Sequence, residues 1–211
     1  MHYKVLALMM RLTDECQPVS FRKSIWLWTK LGRYTCFRRQ EFAMESRSVI
    51  QVYVKPNGTH VVRTFTTKDY IWYNDNGMIV ALEEVLQKRL VAAQVCHHYE
   101  IQKNRMNNQI VTQNRDTNFP KLCAVEASIE ILKLAMSCGE KDPEDPLWVF
   151  QTVEGTFAYL TGDMITKYYR YVTQMVFPSI SADELKLFSC HSLRVKAAVL
   201  LHEAGKYGSY I

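Results

Sequence analysis

The chain reads as α+β, mainly helical with a small antiparallel sheet and hairpin, and two observations carry that reading. Apolar residues recur at helical spacing toward both ends, and between them the period switches to two around Asn-Gly turns. The tryptophan-rich stretch Ser20 to Leu31 predicts a helix, and Thr35 to Glu45 reads as the start of another. From Ser48 the pattern becomes SVIQVYV, then P-N-G, then THVVRTF. Asn57-Gly58 between β-branched runs is a hairpin signal, because both residues tolerate the positive φ of a tight turn. A second turn, Asn-Asp-Asn-Gly, ends at Gly77. Leu82 to Ala93 has helical spacing, and QVCHHYEIQKNRMNNQIVTQ reads as two strands around a polar R-M-N-N turn. Lys121 to Met136 is apolar at helical spacing, and Pro143 to Pro146 forms a surface turn. Trp148 to Tyr159 is extended around Glu154-Gly155, and Thr161-Gly-Asp opens a helix bearing Tyr168, Tyr169 and Tyr171. Phe177-Pro178 closes that helix, and Ser192 to Ala204 forms a last one with Gly205 as its C-cap.

At 211 residues, 48% hydrophobic and 22% charged, the chain suits one globular domain with no need of staples. Six cysteines are scattered without a C-x-x-C pair, which predicts buried or unpaired thiols in place of a disulfide framework or zinc site. The apolar run Val5 to Met10 is too short for a secretory core or a membrane span. The expectation is an intracellular protein, nuclear if the source is eukaryotic, with no membrane, metal or cofactor. Net charge is +5, and residues 1–41 carry eight Lys/Arg against three acids, so the basic excess sits in the first fifth. That placement suits a surface facing phosphate, and equally a solvated basic helix face.

Two short constellations hold residues suited to an anion. His191 and Arg194 stand one helical turn apart at the front of an apolar helix, so both can address one ligand. In T-C-F-R-R-Q-E, Arg38 lies three residues before Glu41, which can buttress an arginine on the same face. Standing alone, each is also what a capping histidine or a solvated ion pair looks like.

In this order the motifs resemble the catalytic domain of the tyrosine recombinases, the phage integrase-like family, in its mobile-element form. The first box of that family reads like T-G-L-R-x-x-E, which here places the first arginine on Arg38. Its H-x-x-R box, followed by an apolar helix and glycine, is similar to HSLRVKAAVLLHEAG and gives His191 and Arg194. The family carries a lysine on a β-hairpin between these boxes. IQKNRMNNQIVTQ followed by LCAVEA looks like that hairpin and the helix after it, which nominates Lys103. Lys68, in TFTTKDY, is the runner-up, because the usual interval after the first arginine is shorter. Arg39 and Arg105 flank these positions and would reach neighbouring DNA phosphates. The resemblance divides the chain into a remnant helical segment, 1–33, and a C-terminally incomplete catalytic-type domain, 34–211.

The resemblance implies breakage and rejoining of DNA strands in recombination or integration. A tyrosine conserves the phosphodiester energy as a phosphotyrosyl ester. Two arginines suit the scissile phosphate because each forks around its oxygens and stays charged. His191 would assist proton movement, and Lys103 would protonate the departing 5′-oxygen. Losing one such donor typically costs about 10²–10³ in rate. In the family the nucleophilic tyrosine follows H-x-x-R by roughly two to three dozen residues, and here seventeen residues follow Arg194. The expectation is therefore a chain that holds DNA phosphate and does not cleave by itself, with DNA and other recombinase subunits as partners. Two other readings stand beside it: a non-catalytic DNA-binding or assembly module of a mobile element, and an unrelated α+β protein.

Overall fold

The computed structural model describes residues 1–14, 21–35, 43, 52–54, 58, 60–62, 64–99, 108–139, 143–203 and 205. It is α+β, as the change of period predicts. Two helices open it, α1 (Tyr3–Asp14) and α2 (Phe21–Thr35), followed by a hairpin of β1 (Val52–Val54) and β2 (His60–Val62). The four-stranded sheet holds β3 (Tyr70–Tyr73), β4 (Ile79–Val80), β5 (Gln94–Tyr99) and β6 (Gln109–Asn114), in the order β4-β3-β5-β6 and antiparallel throughout. A short helix α3 (Leu82–Gln87) and a 3-10 turn at Arg89–Val91 join β4 to β5, where the spacing predicted one longer helix. Then come α4 (Ala124–Ser137), the hairpin β7 (Val149–Gln151) and β8 (Phe157–Tyr159), α5 (Gly162–Val176), α6 (Ala182–Lys186) and α7 (Cys190–Glu203). The predicted helix from Thr35 to Glu45 lies outside the described residues, apart from its first residue and Ala43.

Helix α2 is buried almost all round, with Ile25, Trp26, Leu27, Trp28, Leu31 and Gly32 enclosed, so it is a central element with no solvated face. Around it lie α1, α4, α7 and β7. Two of its buried hydroxyls are matched: Ser24 donates to the Val149 carbonyl at 3.2 Å, and the Thr29 hydroxyl donates to the Ile25 carbonyl at 2.6 Å. The same Thr29 oxygen lies 2.7 Å from the Tyr169 hydroxyl. One apolar cluster takes in Val5 and Met9 of α1, Trp28 of α2, Trp72 and Val95 of the sheet, Ile129 and Leu132 of α4, and Tyr169 of α5. Residues 3–35 thus share their core with the rest of the chain. Trp26, Trp28, Trp72, Tyr168 and Tyr169 are packing residues, as their type predicts.

Alternation in β3 turns Tyr70 and Trp72 inward, opposite His97 and Val95 of β5. That face packs on α4, where the His97 Nε2 meets the Ser128 hydroxyl at 3.1 Å. The turn between β3 and β4 closes as its sequence predicts. Gly77 takes φ +73°, and the Asn74 side-chain oxygen accepts from the backbone N–H groups of Asn76 and Met78. Thr161 caps α5 by accepting from Met164 N–H, and Ser181 caps α6 with Glu184 as a reciprocal box. Cys96, Cys123, Cys138 and Cys190 are buried free thiols.

A chain of charges ties the sheet to the helices. Glu126 in the first turn of α4 accepts from Arg115, at the end of β6, and from Arg89 Nη2 at 2.6 Å. Arg89 also reaches Glu130 at 2.8 Å, and Glu130 lies 3.6 Å from Lys23 of α2. Arg115 is further fixed by donation from its Nε to the Ala92 carbonyl at 2.6 Å.

Candidate functional site

The first turn of α7 presents the H-x-x-R pair, and local contacts hold it in place. Ser192 donates to the Leu187 carbonyl at 2.6 Å and accepts from Ser189 N–H at 3.0 Å. The Cys190 thiol donates to the Gly162 carbonyl at 3.2 Å, which seats the turn on the start of α5. Between His191 and Arg194, Leu193 points inward and is buried against Gly32 of α2. A Cβ at Gly32 would overlap Leu193 Cδ2 and lie 3.2 Å from its Cγ, so any larger residue here requires Leu193 to shift. Gly32→Val is expected to cost about 1–3 kcal/mol by overpacking, read as a lower urea midpoint with an unchanged slope.

With Leu193 as the anchor, His191 is exposed and Arg194 half-buried, and neither makes a hydrogen bond or ion pair among the described residues. No acid occupies the first turn of α7, so the positive end of the helix adds to Arg194 without a counter-charge. Sequence reasoning missed two further cations. Arg33 follows Gly32 at the end of α2, and its buried Nε has no hydrogen-bond acceptor among the described residues. Lys196 lies one turn along α7. Burial first, then Lys196 and Arg33, hold the Met1 ammonium below its ordinary pKa, which places these two cations in one neighbourhood. No motif could mark Arg33, because its role follows from where α2 ends.

The same end of α2 meets the hairpin that bears the nominated lysine. The Tyr99 hydroxyl, at the end of β5, donates to the Thr35 carbonyl at 3.3 Å. Gln113 of β6 donates to the Tyr34 carbonyl at 3.4 Å. Thr35 is the first residue of T-C-F-R-R-Q-E, Tyr99 stands four residues before Lys103, and Leu193 lies within H-x-x-R. The bases of all three segments therefore meet on the last turn of α2. Arg38, Arg39, Lys103 and Arg105 themselves lie outside the described residues. β5 and β6 pair from Tyr99↔Gln109 to Gln94↔Asn114, as the alternating pattern predicts, so Lys103 and Arg105 belong to the connection between two paired strands. Lys68, the runner-up, is not on a hairpin. It sits in a 3-10 turn, Thr67–Asp69, with its Nζ 2.6 and 2.7 Å from the two carboxylate oxygens of Glu144.

Among the described residues no three His, Cys, Asp or Glu side chains gather as a metal site, and no helix is long and apolar enough to cross a membrane. The class these observations define is an α+β protein with an exposed histidine and partly buried cations, lacking a counter-charge among the described residues, where α2 ends and α7 begins. No protein-family model matches the chain, and no curated protein is significantly similar to it.

Proposed function

We propose that this chain is a DNA-binding protein of the tyrosine recombinase type, acting in DNA recombination or integration. In this reading Arg38, Lys103, His191 and Arg194 gather around one backbone phosphate, with Arg39 and Arg105 on its neighbours. One observation carries it: Thr35, Tyr99 and Leu193, the bases of the three motif segments, meet on the last turn of α2. Segments so far apart in sequence share one small region only if the fold brings them there. Arg33 and Lys196 add charge at that place, and no carboxylate pairs with Arg194 among the described residues. Phosphate is the anion that such a fork of cations fits, because guanidinium groups bind its oxygens in pairs.

The test is fluorescence anisotropy with a labelled DNA duplex at about 50 mM salt, followed by a salt titration. Arg194→Ala and Arg38→Ala are each expected to weaken binding and to lower the log–log salt slope by about 0.9 for each phosphate no longer neutralised. Lys88→Ala, which removes an exposed charge elsewhere, is expected to leave both unchanged. No binding at low salt, or binding indifferent to both arginine variants, would remove the reading.

A further inference from the structure

We propose that the cleft between the first turn of α2 and the outer face of α5 binds one nucleotide unit, a flat base together with its phosphate. Six residues line it: Phe21, Arg22, Met164, Lys167, Tyr168 and Tyr171. Its volume of about 310 Å³ is at the small end of ligand clefts. That is room for one ring and its phosphate.

The lining selects an aromatic anion on two independent grounds. Its apolar part is ring surface: Tyr168 is buried, and Phe21 meets it edge-on with centroids 5.8 Å apart at 76°. Met164, Tyr168 and Tyr171 follow one another at spacings of four and three on α5, so they share one face. Tyr171 is 52% exposed, a ring left open beside the cleft. Tyrosine faces accept any base by stacking, whatever its sequence.

The two charged residues of the lining, Arg22 and Lys167, are both cations. Lys167 is exposed and makes no hydrogen bond or ion pair among the described residues. Arg22 supplies a guanidinium from α2, and none of the six lining residues is a carboxylate. No acid occupies the first turn of α2, whose positive end lies beside the cleft. A free phosphate would leave the rings unused, and a neutral aromatic ligand would leave the positive lining unused. A nucleotide unit uses both. Its source is either a free mononucleotide or an unpaired position in a DNA strand. The site stands on its own lining and does not depend on the roles given to His191 and Arg194.

The experiment uses the full chain and two probes at low salt: dAMP by calorimetry, and a short labelled oligo-dA strand by anisotropy. Binding of at least one probe is expected. Tyr171→Ala should weaken it roughly 5- to 150-fold, the measured range for removal of one stacked base, while Tyr171→Phe should retain it. Lys167→Glu should weaken it and lower the single-strand salt slope by about 0.7. These side chains are exposed, so unchanged melting curves are expected for all three variants. Binding of dAMP that competes with the strand identifies a free-nucleotide site, and strand binding without dAMP binding identifies a nucleic-acid contact. Failure of both probes to bind overturns the proposal, as does binding indifferent to Tyr171→Ala and Lys167→Glu. Arg194→Ala run in parallel separates the two sites: it should weaken duplex binding and leave dAMP affinity unchanged.

Discussion

His97→Gln is expected to make mild acid stabilising, where the parent protein is nearly indifferent to it. His97 is fully buried, with its Nε2 against Ser128 and the rings of Tyr70 and Phe65 edge-on at 5.0 and 6.0 Å. Burial holds its pKa down to about 3, from 6.5. Between those values the unfolded chain binds a proton that the folded chain refuses. Stability must therefore fall as the pH drops through that window, by about 1.4 kcal/mol per unit and up to about 5 in all. Asp69 works the other way. Burial pushes it up to about 6 from 3.8, against the pull of hydrogen bonds from the Thr66 backbone and hydroxyl. The folded chain takes that proton first, so acidification from pH 6 to 3.8 stabilises it, by about 3 kcal/mol.

Between pH 6.5 and 4.5 each group moves stability by about 2 kcal/mol, in opposite directions. The parent protein should be nearly flat there and should decline below. His97→Gln keeps a partner for Ser128 and removes the histidine's share, so its stability should rise by about 2 kcal/mol over the same interval. Urea unfolding of both proteins at pH 6.5 and 4.5 measures this. A variant whose slope matches that of the parent would show that His97 is not the source.

Glu126→Gln is expected to cost about 2–3 kcal/mol at neutral pH, and Glu130→Gln less than about 1. The two glutamates lie on the same helix and share Arg89, so the contrast is sharp. Glu126 also holds Arg115, whose side chain is 13% exposed and has no other carboxylate partner among the described residues. Burial acts to raise the Glu126 pKa, but the hydrogen bond from Arg115 and the charge of Arg89 carry it below the ordinary value. Lys30 lies behind this network on α2. Burial lowers its pKa, and Glu130 and Glu126 pull it back up. Removing the Glu126 charge leaves Arg115 without a carboxylate partner among the described residues, and Lys30 with Glu130 alone. Unfolding midpoints of the two variants, measured side by side, test the ranking. Equal losses would mean that the network acts as a surface pair.

What the sequence disclosed was local. Gly58, Gly77 and Gly155 mark turns because each needs positive φ, and all three fall between the paired strands expected there. Helices α2, α4, α5 and α7 follow from apolar spacing over three or more turns. The short α3 lies inside the longer helix that the spacing predicts from Leu82 to Ala93, whereas α6 leaves no readable signal because five residues give too little periodicity. Helix α1 was hidden by its composition: Val5 to Met10 is apolar all round and shows no stripe. His191 and Arg194 could be nominated from the sequence because they sit one turn apart. Arg33, the Gly32–Leu193 crossing and the Glu126 network were not, because their partners are brought together by packing and lie far apart in the chain. Arg115 and Arg89 are ordinary surface residues until the fold sets a carboxylate between them.

The central position of α2 has a consequence for how the protein is made. Its surface, with Trp26, Trp28 and Leu31, is finished early in synthesis, yet α7, which covers Gly32, begins at Cys190. At about 5–20 residues per second the ribosome takes roughly 10–30 s to bridge that interval. For that time a tryptophan-rich helix stands without its cover. Slow translation or a stalled ribosome would lengthen the exposure, so the nascent chain should be a chaperone client until α7 emerges.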